Sequence, residues 1–261
     1  MKTRNIVALS LVSAAALYGI GAATKSLPFP APWRNAPVVR TAGAGTELAA
    51  SGSRLTESRQ VGEFDAVEIS GPVELVLTRG EAFALTITYD AALLPSYSSE
   101  LRGSTLRIGQ EGAVRSFAGG TPRVELVAPD LERLTLSGTA RVDLGPLDWD
   151  DFELVSSGTI SGKLEGSFDT LALEFSGAGS ILMVGDAREL SISSPGASGI
   201  DAAAFDAESA EIRISGVGTV DLGRTESLEV SLSGLGSLTY RGDPELTSKI
   251  SGLGRVTRKG D

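Results

Sequence analysis

Neither a cysteine nor a histidine occurs anywhere in the chain. The first absence removes disulfides and thiolate nucleophiles, the second removes imidazole acid–base chemistry. Together they exclude Cys/His zinc sites and every Ser-His-Asp arrangement. Aromatic residues are scarce too, at 5 % of 261. A core of this size has to be assembled from Leu, Ile and Val in regular contact, which already suggests repetition. Basic residues are the minority, 23 Lys and Arg against 33 Asp and Glu, and the formal charge of −10 leaves no basic stripe for a phosphate backbone. Nucleic acid is excluded as a partner on that ground, and no cofactor or metal motif is read in the chain.

One apolar run stands apart, Ile6 to Ala23 within MKTRNIVALSLVSAAALYGIGAATKS, preceded by Lys2 and Arg4 and ending in small residues. That is the pattern of an export signal. At about eighteen residues it also reaches the lower limit for a membrane span. Residues 1–23 therefore read either as a cleaved signal peptide or as an uncleaved inner-membrane anchor. No Cys follows, so lipoprotein attachment is not expected; removing the segment takes the charge from −10 to about −12. Residues 24–54, with PFPAPW and TAGAGTELAASGS, lack any apolar period and read as a flexible linker.

What the chain does have is a repeat. Glycines that follow a small, mostly serine residue stand at 138, 158, 177, 196, 216, 234 and 252, spaced 20, 19, 19, 20, 18 and 18 residues apart. Four residues before each Gly come Leu134, Leu154, Leu173, Ile192, Ile212, Val230 and Ser248. Four after it come Val142, Gly162, Ile181, Ile200, Val220, Leu238 and Val256. Period-two alternation places these on one face. At the centre of that apolar stripe, two after the Gly, stand mostly tiny residues: Ala140, Ile160, Gly179, Ser198, Gly218, Gly236 and Gly254. Here the second Gly of Ser-Gly-x-Gly is expected to be the sterically required one, at the inside of a bend. The outward Ser137, Ser157, Ser176, Ser215, Ser233 and Ser251 are expected to bond to one another or to the turn backbone.

Units of this length cannot bury an apolar face alone, so they must stack. The predicted fold is all-β: a single-stranded parallel β-helix, or β-solenoid, of about 18–20 residues per coil over residues 55–258. At about 4.8 Å per coil the seven marked units would run roughly 34 Å. The looser grammar of Val61 to Asp130 predicts irregular first coils plus an N-terminal cap. At the other end, Arg255, Arg258 and Lys259 put charge on the last coil, which is expected to discourage end-to-end growth.

The pattern V61-x-x-F64-D65, then ISG, then serial SG-x-G turns each followed by an alternating strand resembles the putative auto-transporter adhesin head GIN domain family, a bacterial domain of unknown function. The resemblance covers about residues 55–258. It implies a β-solenoid exported across the inner membrane, and it brings no catalytic residues to this chain.

Stacking turns column neighbours into spatial neighbours, which yields the site candidates. Asp201 and Asp221 are expected one coil apart, as are Glu211 and Glu229; paired carboxylates could hold a cation or act as acid and base on a polysaccharide. Trp149, among Asp148, Asp150 and Asp151, is read in a loop between coils, as a lid over the core or a platform for a sugar ring. The outward position after each Gly turns apolar toward the C-terminus as Val217, Leu235 and Leu253, a stripe that usually marks a contact and is expected to dock a partner protein, a second copy or the chain's own N-terminal tether. These features point to an exported, non-catalytic binding or scaffold protein of the periplasm or cell envelope. Its partner would be an envelope protein, a glycan, or a second copy through self-association. The alternatives are a polysaccharide-active β-helix enzyme and a membrane-tethered envelope stress sensor.

Overall fold

The structure, a computed structural model, describes residues 50–110 and 119–260. The export segment 1–23, and the linker up to residue 49, lie outside the described residues. From residue 54 onward the described chain is almost entirely strand. Five long strands, β9 (Thr139–Ser156), β10 (Thr159–Phe175), β11 (Ala178–Ser194), β12 (Ala197–Ile214) and β13 (Val217–Leu232), each make one whole coil. Each pairs in parallel with the next, as Leu164 with Met183 or Ile200 with Val220. This is the predicted β-solenoid.

Burial alternates along each coil and slips phase at one place in all five, as at Asp150–Asp151 in β9 and Glu208–Ser209 in β12. In β9 the slips fall at Gly145–Pro146 and Asp150–Asp151, whereas the Ser157-Gly158 turn bends the chain and keeps the phase, Ser156 and Ile160 on either side of it both being buried. The two slips and the Ser-Gly turn are the corners that divide the coil into three sides. The sides are the strand after the Gly, a short run through Leu147 and Trp149, and the strand before the next Gly. Inside is a continuous apolar lumen in which Leu144, Leu154, Leu164, Leu171, Met183, Ile192, Ile212 and Leu222 are wholly buried.

The Ser-Gly corner explains its own composition, with one correction. It is the first Gly of each turn, far more than the second, that excludes a side chain. A Cβ on Gly158, Gly177, Gly196, Gly216 or Gly234 would fall on the carbonyl oxygen of the equivalent Gly one coil below, far inside the 3.0 Å that real Cβ atoms respect. The same oxygen accepts the rung that follows, as in Ala178 N to Gly158 O at 2.9 Å and Val217 N to Gly196 O at 3.0 Å. The second Gly is looser and varies between coils: a Cβ on Gly179 would meet Phe175 at 3.4 Å, an ordinary contact, and other coils carry Ile160 or Ser198 there, whereas one on Gly218 would meet Ser198 Oγ at 2.9 Å and one on Gly236 the Gly218 oxygen at 3.1 Å. The outward serines do little. Ser176 Oγ reaches Ser156 O at 3.4 Å and Ser137 Oγ reaches Ile69 O at 3.5 Å, both at the limit of a hydrogen bond.

Before the regular coils, the winding leaves sequence order. The first half-coils, β2 (Ala66–Ser70) and β3 (Val73–Arg79), lie between two later ones. On one side are β8 (Arg133–Ser137) and β9; on the other are β6 (Thr105–Gln110) and β7 (Arg123–Ala128). Beyond them β4 (Ala84–Asp90) pairs antiparallel with β7, β1 (Arg54–Arg59) with β4, and β5 (Tyr97–Arg102) with β6. These antiparallel strands are the cap. It is fastened by the buried carboxylate of Asp90, which accepts from Ser51 N and Ser51 Oγ at 3.0 Å, Gly52 N at 2.8 Å and Ala92 N at 2.9 Å. Burial acts to raise the Asp90 pKa, but these donors together hold it below the usual carboxylate range. The far end finishes with β14 (Leu235–Arg241), β15 (Glu245–Ile250) and β16 (Leu253–Arg258), β15 stacked on β13 and β16 on β14.

Candidate functional site

Val217, Leu235 and Leu253 each open a strand just past the Ser-Gly corner, and the parallel register sets Val217 beside Leu235 and Leu235 beside Leu253. They point away from the lumen and are 57 %, 52 % and 82 % exposed. Beside them the small residues Gly179, Ala197, Gly199, Gly218 and Gly236 leave a shallow depression of about 590 Å³, walled by the three aliphatic side chains. Ala178 and Ala197 continue the column, also exposed but too small to form a patch.

The two candidate carboxylates are indeed register neighbours, Asp201 beside Asp221, but they do not form an isolated acidic pair. Asp221 accepts from Thr239 Oγ1 at 2.9 Å and lies 3.3 Å from both Arg241 Nη1 and Lys259 Nζ. Burial acts to raise its pKa, and the Thr239, Lys259 and Arg241 contacts outweigh it and hold the carboxyl below its ordinary value. A general acid needs the opposite shift. Asp201 accepts instead from the nearby Ala203 N at 3.3 Å. Glu211 and Glu229 are register neighbours too, and Glu211 is ion-paired with Arg213.

Trp149 is not in a loop. It lies within β9 on the short middle side of its coil, 4 % exposed, with Nε1 donating to Pro129 O at 2.9 Å. Its ring meets Phe152 edge-on at 5.3 Å, and Phe152 stacks on Phe168 at 6.0 Å. The indole therefore belongs to the lumen. The period-two slip at Asp150–Asp151 sends it inward, whereas a sequence of three nearby aspartates reads locally as a turn.

That same slip creates a feature the sequence reading missed. The outward residues flanking the corner stack into two ladders, Asp148, Ser167, Asp186, Asp206 and Arg224 beside Asp150, Asp169, Arg188, Glu208 and Glu226, around a groove of about 680 Å³. Much of its charge is internally engaged: Ser167 Oγ donates to Asp186 at 2.7 Å, Arg224 N to Asp206 at 2.7 Å, Arg79 pairs with Asp148, and Arg188 pairs with Glu189 at 2.7 Å. Among the described residues no group of three or more acidic side chains is placed to hold a metal ion. A signal was available in the sequence, since Asp148, Asp186 and Asp206 recur at 38 and 20 residues, but only after the corner is counted.

The same coil architecture is found in solved structures. A putative adhesin from Bacteroides fragilis NCTC 9343 superposes with a TM-score of 0.72 at 20 % identity, over 80 % of this chain and 99 % of that one. A putative adhesin from Parabacteroides distasonis ATCC 8503 gives 0.67 at 19 % identity, and a putative lipid binding protein from the same strain gives 0.62 at 19 %; each alignment covers 80 % of this chain and 98 % of the other. At these identities the likeness shows the fold. No curated protein matches the chain. The family described as "Putative auto-transporter adhesin, head GIN domain" matches residues 63–244, from the strand leading into the first coil to the penultimate one, and the chain belongs to that family.

Proposed function

We propose that this chain is an exported, non-catalytic binding module of the cell envelope, and that it engages a protein partner through the edge bearing Val217, Leu235 and Leu253. The observation that carries the reading is the stack of three exposed aliphatic side chains, one per coil, over a shallow depression with a largely apolar surface. Water disfavours such a column, and a rigid, evenly spaced row of aliphatic side chains suits an apolar partner surface. The family description as an adhesin head supports a binding role outside the cytoplasm, as does the export pattern of residues 1–23. The depressed pKa of Asp221, with its Thr239, Arg241 and Lys259 contacts, speaks against acid–base chemistry at the one carboxylate pair the register singles out on this side.

The test is capture from an envelope fraction by the full chain and by Val217→Asp with Leu235→Asp. The expected result is a protein retained by the wild type and lost, at least tenfold, by the double variant, with circular dichroism unchanged. Equal retention by both would overturn the assignment of this edge.

A further inference from the structure

The two ends of the solenoid differ. The N-terminal end is closed by antiparallel cap strands; among the described residues no strand closes the C-terminal end. In β13 the lumen residues Leu228 and Leu232 are each 1 % exposed, while their register partners one coil further, Leu246 and Ile250, are 38 % and 44 % exposed. Every residue of β15 is exposed. Beyond β15 and β16 no described strand pairs. Ser251 N donates to Leu232 O at 2.8 Å, so by alternation the backbone groups of Ser251, Lys249 and Thr247 face β13. Those of Leu246, Ser248 and Ile250 face outward with no described strand to receive them.

The charges on this edge identify the occupant. Glu245 and Lys249 both point outward on β15, and neither has an ion-pair partner among the described residues. Four residues apart on one strand, they are about 13 Å from each other and cannot pair within the chain. We propose that the open C-terminal coil is closed by a second copy of this chain, with the two β15 strands antiparallel about a twofold axis at Thr247. That register places Glu245 opposite Lys249 of the partner subunit, twice, in non-hydrogen-bonded pairs where side chains come closest. It leaves Leu246 and Ser248 of the partner subunit as hydrogen-bonded pairs that use the outward backbone groups. Leu246 and Ile250 become covered, and the two lumens become continuous. Of the basic residues at this end, Arg258 is paired with Asp243 at 3.0 Å and Lys259 with Asp221 at 3.3 Å, and Arg255 lies on β16, off the pairing strand. Because each copy has one capped end, a twofold stack closes at two and does not grow into a fibre.

Sedimentation equilibrium of the full chain tests the register directly. The wild type is expected to dimerise. Lys249→Glu alone and Glu245→Lys alone, each facing like charges twice, weaken the dimer by roughly tenfold or more. The double reversal Glu245→Lys with Lys249→Glu restores it, which a misfolded variant would not do. A monomeric wild type, single reversals without effect, or failure of the double reversal to rescue each overturns the proposal. Val217→Asp with Leu235→Asp leaves β15 untouched and is expected to leave the dimer intact, so this outcome is separate from that of partner capture.

Discussion

Replacing Gly177 by Ala is expected to destabilise the solenoid by roughly 2–3 kcal/mol, while the same replacement two residues later, at Gly179, is not. Neither glycine uses the left-handed backbone region, so the contrast is purely one of space. At Gly177 the added methyl would overlap Gly158 O, which is backbone and cannot swing aside. The coils must part locally, which strains the packing by about 1–3 kcal/mol, and the Ala178 N to Gly158 O rung at 2.9 Å is weakened, for about 1 kcal/mol more. Against this stands a gain of about 0.4–1 kcal/mol from the stiffer unfolded chain. At Gly179 only that gain remains, because the new Cβ would sit 3.4 Å from Phe175 and 3.5 Å from Ile160. Urea denaturation followed by tryptophan emission, with thermal melts beside it, reads both variants. For a domain of this size the Gly177→Ala melt should fall by roughly 5–10 °C and the Gly179→Ala melt should hold or rise. Equal losses at the two positions, or none at Gly177, would refute the account of the corner.

Asp90→Asn should lower stability at neutral pH by about 1.5–3 kcal/mol, since an amide cannot accept from all the donors that converge there. The Asp90 pKa is depressed in the folded state, so its contribution is present above the ordinary carboxylate pKa and lost as pH falls through the folded value; the variant and wild type should converge in acid, as urea midpoints at the two pH values would show. Hydrogen exchange should locate the Asp90→Asn effect in β1, which Ser51 and Gly52 lead into. Trp149→Ala should cost about 3–5 kcal/mol as a lumen cavity, and in a Trp33→Phe background the Trp149 emission should be blue-shifted and shielded from acrylamide. An indole quenched as freely as an exposed one would contradict its placement inside the coil.

The regular coils were readable because two of their three sides are long enough to show alternation: Leu154 and Ser156, or Val142 and Leu144, announce an inward face. The third side was not, because Leu147 and Trp149 alone carry it and the corners on either side shift the phase. Two residues cannot display a period, so the sequence around Trp149 reads as a loop and gives no sign of the ladder from Asp148 to Asp206. The glycine spacing was plain, yet which Gly mattered depended on how closely one coil approaches the next, a distance that no local pattern carries. The stripe of Val217, Leu235 and Leu253 was legible for the opposite reason: a register of 18 residues and an outward parity were enough to stack them. The pairing of β3 with both β7 and β9 was out of reach, since those strands share its alternation and nothing in a strand's own residues names its neighbour.

That interleaved start has a consequence for how the protein comes to be made. A solenoid wound in chain order can lengthen turn by turn as it emerges, each new rung settling on the last. Here the earliest turn waits for later chain on both flanks: β2 gains its first neighbour only with β6 and β3 only with β7, and their other flanks are filled only once β8 and the start of β9 have been synthesised. The start of the solenoid is therefore held by long-range pairings of high contact order that span residues 66–144, whereas each later turn adds locally onto the one before it.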